Sequence, residues 1–341
     1  QCTFGIGPES KRSDKDFFLI PHFGIARKLD ENTTIGVAVY GNGGMNTRYV
    51  DGSATVGAPI GTVPPGTRFT LPGTFGDGTT GVDLMQLFIA PTWARKFDNG
   101  VSIGISPILA MQLFEARGMG NFAPFSAEPE NLTDNSHDTS YGMGLKFGIQ
   151  VPMGASASFG ASYQSQMWMS EFDDYAGLFA GQGDFDIPAS ATVGVSVNAS
   201  EAWTLAFDVQ WIGYSSIDSI ANPMFPNLMQ APLGSDGGAG FGWNDMTVYK
   251  FGAAWKSSAI STWYFGYSFT DQPIDSSEVM FNILAPGVVE QHFTTGYTHE
   301  NANGNSWTVS AMYAPSESVS GINPLDPAQT IEISMDQIDL E

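Results

Sequence analysis

The chain has 341 residues with 35 acidic and 13 basic side chains, a net charge of -22 and a single cysteine, Cys2. The acidic excess argues against nucleic-acid binding, which needs clustered Lys and Arg, and one cysteine excludes an intramolecular disulfide framework or a multi-cysteine metal site. No segment approaches the ~18 apolar residues of a transmembrane helix. The mean hydropathy of -0.06 is nevertheless compatible with a membrane β-barrel, because the hydropathies of its lipid-facing and lumen-facing residues cancel when they are averaged.

Apolar residues alternate with small or polar ones along most of the chain, which is the pattern of β-strands. In residues 202–211, Trp203, Phe207 and Trp211 share one parity while Asp208 lies on the other. Many predicted strands exceed the usual length of about five or six residues, and strands of roughly 9 to 11 residues are what a bilayer requires. In chain order we predict thirteen strands, at 17–28, 33–48, 83–96, 101–114, 141–151, 156–169, 187–198, 202–215, 245–256, 260–270, 288–299, 306–314 and 330–341.

The connections between these strands alternate between short and long. Short periplasmic turns and long extracellular loops are typical of outer-membrane barrels. The alternative is a soluble β-sandwich with one polar face per sheet, in which the alternation of short and long connections would be accidental. The short turns lie at 97–100, 152–155, 199–201 and 256–259, and the long loops at 49–82, 115–140, 170–186, 215–244 and 271–287.

The face opposite the aromatic one carries Gly, Ser, Thr and Gln together with Lys146, Asp208 and Lys250. These residues would pack poorly as a protein core. We therefore predict an all-β fold, a single transmembrane antiparallel β-barrel domain over residues 1–341, wet inside and apolar outside. Tryptophans near the predicted strand ends would form aromatic girdles at the membrane interfaces: Trp203, Trp211, Trp255 and Trp263.

Both ends of the chain look unfinished as parts of a barrel. Residues 3–7, "TFGIG", could be the end of an earlier strand, which would raise the number to fourteen and place both termini at the periplasmic side. The final segment, "TIEISMDQIDLE", has no closing aromatic residue. We therefore expect a trimmed or partial chain.

Several segments resemble the long-chain fatty acid transporter family (FadL/TodX type) of Gram-negative outer membranes. The resemblance implies a fourteen-stranded multi-pass barrel, plugged by an N-terminal hatch, that carries long-chain fatty acids or aromatic hydrocarbons across the outer membrane. The family's hatch, with its Asn-Pro-Ala motif, and its terminal aromatic strand end have no match in this sequence. The segments are "FDIPASATVGVSVNASEAWTLAFDVQWIGYSSI" (185–217), "GFGWNDMTVYKFGAAWK" (240–256), "WYFGYSFTDQPI" (263–274), "FNILAPGVVEQHFTTGYTHE" (281–300) and, more weakly, "VYGNGGMNTRY" (39–49).

Three of the predicted extracellular loops carry more apolar side chains than exposed loops need, at 114–125, 175–185 and 223–233. Such loops either pack on one another or bind a hydrophobic ligand. The resemblance places a hydrophobic groove in loops that correspond to 114–140 and 170–186. The candidate ligand-binding residues are Phe114, Met119, Phe122, Phe125, Leu178, Phe179 and Phe185.

A glycine-rich run, "YGNGGMN" at 40–46, comes late in a predicted strand. Its residues Gly41, Asn42, Gly43 and Gly44 favour a bulge or a break in pairing, and a simple strand end before a long loop is the alternative. The resemblance implies an inward kink in this strand that opens a lateral gap to the bilayer. In that interpretation the ligand leaves the barrel sideways.

Lys146 and Lys250 are basic residues in the middle of strands, on the predicted lumen face. Either could meet the carboxylate of a fatty acid as a compact point charge, or it could pair with a lumen acid such as Asp208. The acidic loops could also hold divalent cations that bridge to lipopolysaccharide, but no D-x-D-x-D-G loop is present.

We therefore expect an outer-membrane channel for hydrophobic small molecules, a monomer in contact with outer-membrane lipid and lipopolysaccharide, with no cofactor and no metal site. A general diffusion porin and a structural or adhesion barrel are the alternatives. The sequence "NSHD" places Ser136, His137 and Asp138 side by side. Catalytic triads normally converge from separate segments, so we do not expect an enzyme.

Overall fold

The computed structural model describes residues 4–42, 44–57 and 67–341. Within these ranges strands dominate, and most of the long ones coincide with segments of alternating hydropathy. The strands are β1 (Phe4–Ile6), β2 (His22–Lys28), β3 (Thr33–Gly41), β4 (Asn46–Tyr49), β5 (Ser53–Gly57), β6 (Arg68–Pro72), β7 (Thr80–Lys96), β8 (Ser102–Arg117), β9 (Asp138–Met153), β10 (Ala157–Gln164), β11 (Trp168–Met169), β12 (Ser190–Asn198), β13 (Trp203–Ile212), β14 (Met246–Ser258), β15 (Ser261–Phe269), β16 (Gln291–Glu300), β17 (Ser306–Ile322) and β18 (Thr330–Leu340).

Helical structure is confined to single turns in the long loops. None of the helices in the described part of the chain is long and apolar enough to span a bilayer. The α-helical turns are α1 (Ala180–Gly183), α2 (Asp218–Ala221) and α3 (Asn227–Gln230), and the 3-10 turns are Gly120–Phe125, Pro129–Asn131, Asp173–Tyr175, Tyr214–Ser216 and Phe281–Ile283.

One antiparallel wall contains most of the strands. Its order is β2, β3, β7, β8, β9, β10, β12, β13, β14, β15, β16, β17 and β18, so each wall strand pairs with the next along the chain. The Nε2 atom of His22, in the first wall strand, lies 3.3 Å from Oε1 of Glu341, which follows the last one. The wall therefore curls round until its two ends meet, and the predicted antiparallel β-barrel is confirmed.

The predicted wall strands are confirmed with shifted ends. The strand expected at 17–28 is shorter and begins at His22, whereas the strand expected at 306–314 is longer and ends at Ile322. The predicted alternation of short turns and long loops holds along the wall. The two ends of the barrel therefore differ, and we refer to them as the short-turn end and the long-loop end.

The expectation that residues 3–7 finish an additional wall strand is wrong. β1 pairs with β5, and β5 pairs with β6, in a separate three-stranded sheet. Arg68 of β6 forms an ion pair of 2.7 Å with Asp326 in the connection between β17 and β18, and the amide of Phe4 donates to the carbonyl of Leu325 at 3.1 Å. These two contacts place the small sheet at the long-loop end, where the connection between β17 and β18 lies.

The aromatic face of the wall points outward. Phe251 and Phe265 are 47% and 45% exposed, and Phe207 packs beside Phe251 with ring centroids 4.9 Å apart. The opposite parity, including Gly194 and Asp208, lines an open cavity of about 480 Å³ inside the barrel. The prediction of a barrel that is polar inside and apolar outside is confirmed.

Tryptophans form a band beside the short turns. Trp203, Trp255 and Trp263 are in register on three adjacent strands, and the rings of Trp203 and Trp255 stack at 5.8 Å. Towards the long-loop end, Trp211 donates from Nε1 to a carboxylate oxygen of Asp245 at 3.3 Å. These are the positions expected of aromatic girdles at the two interfaces of a bilayer.

The largest buried apolar cluster lies at the long-loop end, where the loops fold into the mouth of the barrel. We refer to this cluster as the loop core. Its buried members are Phe75, Val82, Leu84, Phe114, Ala116, Met119, Phe122, Leu132, Phe172, Tyr175, Phe179, Phe185, Ile217, Ile220, Met224, Leu228, Leu233, Ala239, Phe241, Ile274, Val279, Met280, Phe281, Ile283, Leu284, Ala285, Val288, Ile331 and Ile333.

Candidate functional site

The loop core contains a small apolar cavity of about 30 Å³. Its walls come from the inward faces of β7 and β8 and from four of the long loops, so residues far apart in sequence meet there. The cavity is lined by Val82, Phe114, Met119, Phe122, Leu132, Leu178, Phe179, Ser219, Leu233, Ala239, Gly240, Phe241, Phe281 and Leu284.

Two phenylalanines organise the aromatic rings around the cavity. Phe114, near the upper end of β8, has ring centroids of Tyr175 and Phe179 at 4.9 and 4.7 Å. Phe122, in the following loop, has those of Phe75 and Phe281 at 5.4 and 5.5 Å. Tilted and edge-on pairs of this kind add about 0.5–1.5 kcal/mol each beyond the burial of area. The cavity therefore lies between two packed aromatic groups.

Buried hydrogen bonds pin the loops to one another. The hydroxyl of Tyr175 donates to the carbonyl of Ser136 at 2.6 Å, and burial raises the pKa of Tyr175 to about 12. The side-chain amide of Asn282 donates to the carbonyl of Phe241 at 2.7 Å, and a carboxylate oxygen of Glu278 accepts the amide of Met224 at 2.7 Å. Burial raises the pKa of Glu278.

A carboxyl pair lies in the segment that carries Phe185. Asp186 accepts the amide of Met169 at 2.6 Å and the side chain of Gln166 at 2.7 Å. Burial raises the pKa of Asp184 to about 7, and the nearby carboxylates of Asp186 and Glu171 add to the shift. Below pH 7 this segment thus carries one negative charge fewer.

Five of the seven residues predicted to bind ligand line the cavity: Phe114, Met119, Phe122, Leu178 and Phe179. The other two lie behind it. Phe185 packs against Phe179 with ring centroids 4.7 Å apart, and Phe125 packs on the loop core from its edge. The structure brings all seven into one cluster, and their role in binding stays a prediction.

Sequence reasoning missed several residues of the cavity. Phe241 and Phe281 lie in segments that entered only through the family resemblance, although both are apolar residues in long loops. Ser219 and Gly240 carry no apolar signal at all, and only the fold shows that they line the cavity.

The glycine-rich run forms a bulge and not a strand end. Gly41 pairs with Leu87 and Asn46 pairs with Asp83, so the register against β7 shifts by one residue between β3 and β4. Pairing resumes as β4, which excludes the simple strand end. Gly43 lies outside the described residues.

Backbone contacts fix the bulge in place. The amide of Asn42 donates to the carbonyl of Gln86 at 3.1 Å, and the amide of Leu84 donates to the carbonyl of Met45 at 2.7 Å. A Cβ on Gly44 would lie 2.0 Å from the carbonyl oxygen of Leu84. Only glycine therefore fits at position 44 of this bulge.

The side of the bulge away from β7 is bordered by a segment without strand structure. The last residue of β3 that pairs with β2 is Tyr40, opposite His22. Beyond it, the amide of Asp14 donates to the carbonyl of Arg48 at 2.9 Å, and their side chains form an ion pair of 2.7 Å. Phe17 in the same segment is 82% exposed. The regular strand ladder of the wall is interrupted here.

The two lumen lysines do not meet the cavity. Lys250 donates to the side-chain oxygen of Gln210 at 2.6 Å. It sits opposite Asp208 in the register, but the ion pair with Asp208 is not formed. Lys146 is exposed to the lumen between Ser106 and Gln164 on the adjacent strands. Their role as carboxylate partners stays a prediction.

The "NSHD" segment does not assemble a catalytic triad. The ring nitrogens of His137 lie 3.5 Å from Asp83 and 3.5 Å from Glu115. Asp138 instead accepts the amide of Asp174 at 3.0 Å, and Ser136 offers its carbonyl to a tyrosine. Throughout the described ranges, no group of three or more His, Cys, Asp or Glu residues could hold a metal ion.

Comparison with known proteins agrees with this architecture. No curated protein sequence matches the chain. Among solved structures, the Pseudomonas putida toluene transporter TodX is 15% identical, with a TM-score of 0.66 over 100% of this chain and 85% of that one. A FadL homologue of Pseudomonas aeruginosa is 11% identical, with a TM-score of 0.60 over 99% and 86%. The Ralstonia pickettii toluene transporter TbuX is 14% identical, with a TM-score of 0.59 over 99% and 85%.

At these identities the similar structures show the fold, and the sequence family is shown separately. The family described as "Outer membrane protein transport protein (OMPP1/FadL/TodX)" matches residues 4–314. This family consists of transport proteins of the outer membrane and not of enzymes. With a match over most of its length and a barrel of the same fold, the chain belongs to the FadL/TodX family of outer-membrane transport proteins.

Proposed function

We propose that this barrel takes up hydrophobic compounds, captures them in the loop core and releases them sideways into the bilayer at the bulge between β3 and β4. The observation that carries the proposal is the apolar cavity that the loops form at the mouth of a barrel with a polar lumen. The similar structures TodX and TbuX are described as toluene transporters, which supports an apolar substrate. Long-chain fatty acids belong to the same class.

Binding requires the cavity to widen. A dry apolar cavity on the order of 150 Å³ holds benzene in another protein, whereas the cavity of this barrel measures about 30 Å³. Met119 is an unbranched side chain that adapts to irregular space, and Leu178 is only partly buried. These two side chains are the ones that can move at least cost, so we expect them to open the cavity to a ligand.

The polar lumen supports a sideways exit. An apolar molecule that moved straight down the barrel would pass the small and polar residues of the cavity that includes Ser158 and Asp208. Wetting apolar surface costs about 25 cal/mol per Å². The interrupted wall beside Gly44, bordered by the segment that carries the exposed Phe17, offers a route that avoids this cost.

The remaining features of the proposal follow from the same geometry. Each barrel contains its own cavity and its own bulge, so we propose that it acts as a monomer. It contacts outer-membrane lipid through its aromatic girdles and lipopolysaccharide through its long loops. No catalytic step is proposed, because His137 faces Asp83 and Glu115 instead of a nucleophile.

The capture step is tested by filling the cavity. We expect Leu178→Trp to reduce the uptake of labelled toluene and oleate into liposomes several-fold, because the larger side chain occupies the space the ligand needs. Leu205→Trp is the matched control, since Leu205 is 49% exposed on the outer face of the wall. Free passage of small ions without uptake of either apolar compound would instead identify a general diffusion porin.

The release step is tested at the bulge. Gly44→Ala places a Cβ 2.0 Å from the carbonyl oxygen of Leu84, so the bulge must change shape. We expect ligand binding to persist and uptake to fall. Gly160→Ala is the control, because the nearest atom to its added Cβ is 3.9 Å away. Unchanged uptake by the Gly44 variant would rule out this exit route.

A further inference from the structure

Ser219 stands out among the polar groups of the loop core. It lies in α2, is 2% exposed and lines the cavity. Its Oγ atom is buried and has no hydrogen-bond partner anywhere in the described ranges. Leaving a buried hydroxyl unpaired costs free energy, so such a group needs an explanation, of which a bound molecule is one.

Neighbouring serines satisfy their hydroxyls locally. The Oγ atom of Ser216, one turn earlier, donates to the carbonyl of Gly213 at 2.9 Å, and that of Ser235 donates to the carbonyl of Pro232. This kind of bond to a preceding carbonyl is the common resting place for a serine in a turn or short helix. Ser219 does not adopt it, so its hydroxyl is left without a partner in a residue that lines the cavity.

The segment that follows holds α2 firmly against the cavity. The carbonyl of Asn222 accepts the amides of Gly240 and Gly242 at 3.1 and 3.0 Å, and the carbonyl of Ile220 accepts the amide of Trp243 at 3.1 Å. A Cβ on Gly240 would lie 2.7 Å from the carbonyl oxygen of Ser219. The close approach of these backbones fixes the position of Ser219 relative to the cavity wall.

The lining of the cavity restricts what the hydroxyl can meet. Among the residues that the structure describes, no Asp, Glu, Lys, Arg or His lines it, and Ser219 is the only lining residue with a polar side chain. A carboxylate would be buried there without a cation, which is strongly unfavourable. A buried water would need two to four polar partners, and the side chains supply one. A neutral ligand with a single oxygen satisfies Ser219 and leaves its apolar part in contact with the rings.

We infer that the cavity is selective for neutral apolar compounds that carry one hydroxyl or carbonyl oxygen, and that Ser219 is the residue that recognises this oxygen. The inference rests on the proposed function, because it requires the loop core to be the capture site. The serine hydroxyl can both donate and accept, so phenols, alcohols and ketones all fit. The same chemistry predicts a lower affinity for the fatty-acid anion than for the matching alcohol.

The test compares toluene with 4-methylphenol, which adds one hydroxyl to the same ring. Binding to the purified full chain in detergent is measured by titration calorimetry for the unaltered protein, Ser219→Ala and Ser216→Ala. We expect the unaltered protein to prefer 4-methylphenol, and Ser219→Ala to lose on the order of 10-fold in affinity for it with toluene binding retained. Ser216→Ala should bind both ligands as the unaltered protein does.

The outcomes separate the two proposals. If the unaltered protein binds toluene but Ser219→Ala keeps the same preference between the two ligands, the role of Ser219 is wrong and the capture site stands. If the unaltered protein binds neither ligand, the proposed function is wrong and the inference is overturned with it. Retained toluene binding by Ser219→Ala shows that the variant is folded.

Discussion

The short-turn half and the long-loop half of the barrel have different interiors, although the same strands form both. At the short-turn end the lumen is open, and the inward residues of β8 include Ser102 and Gly104. At the long-loop end the inward residues of the same strand include Ile108 and Phe114, which are 0% and 1% exposed. The chemistry of the interior is therefore set by height along the barrel and not by the identity of the strand.

This contrast explains why the barrel mouth is closed while the lumen below it is open. Loops supply the missing core of the upper half, and their apolar side chains are as buried as those of an ordinary protein interior. The lower half has no such filling because Gly, Ser and Thr side chains are too small and too polar to exclude water. The buried apolar contacts are thus concentrated in the upper half, where we propose that ligand is captured.

The largest expected loss of stability comes from removing a buried ring from the loop core. Phe114→Ala removes the ring that contacts Tyr175 and Phe179, and large-to-small changes at such sites cost about 3–5 kcal/mol. Protection of the loop amides in hydrogen exchange should fall together with the thermal midpoint in detergent. Phe265→Ala, on the lipid-facing wall, should change both by much less. Equal losses in the two variants would show that the upper half is not a separate core.

A smaller and pH-dependent effect is expected at Asp184. Its raised pKa of about 7 means that the folded protein favours the protonated form, so this contribution to stability is full at low pH and is lost as pH rises towards 7. Asp184→Asn should therefore raise the thermal midpoint at pH 8, with the gain shrinking to nothing near pH 4.

Asp173→Asn provides the comparison, since Asp173 is an exposed acid in the same loop. It should leave the midpoint nearly unchanged across this range. A gain for Asp184→Asn that persists at pH 4 would mean that the amide stabilises the loop by a route other than the lost charge.

The smallest effect is expected in the wet lumen. Ser158 and Ser196 on adjacent strands share a hydrogen bond of 2.8 Å between their hydroxyls, in a cavity where water can replace the lost partner. Ser158→Ala should change stability by less than about 0.5 kcal/mol, measured by the same thermal midpoint. A loss comparable to that of Phe114→Ala would show that the lumen wall, too, depends on its side-chain contacts.

The wall could be predicted from the sequence because alternation is a local property. The alternating pattern shows that Trp203, Phe207 and Trp211 share one face without knowledge of any other strand. The short turns show which ends of neighbouring strands lie at the same end of the barrel. The hairpin of β5 and β6 was missed because five-residue strands are too short to show a period.

The loop core could be predicted only in part. Apolar excess in the loops identified Phe114, Phe122 and Phe179, since exposed rings need an explanation wherever they occur. Their partners Phe241 and Phe281 could not be assigned, because their contacts depend on how separate long loops fold over one another. The hydrogen-bond partner of Lys250 could not be predicted either, because Gln210 and Asp208 lie on the same face of one strand and both could reach it.

The extra residue in the bulge between β3 and β4 changes which side chains look into the barrel. In β3 the even-numbered Tyr40 packs inward on Phe88, but after the bulge the odd-numbered Thr47 and Tyr49 do so, donating to the carbonyls of Leu284 and Ile283. The extra residue thus changes the inward-facing parity from even-numbered residues before the bulge to odd-numbered residues after it. Deleting one residue from 42–45 would rotate Thr47 and Tyr49 out of the protein and detach the strand from the loop that carries Phe281.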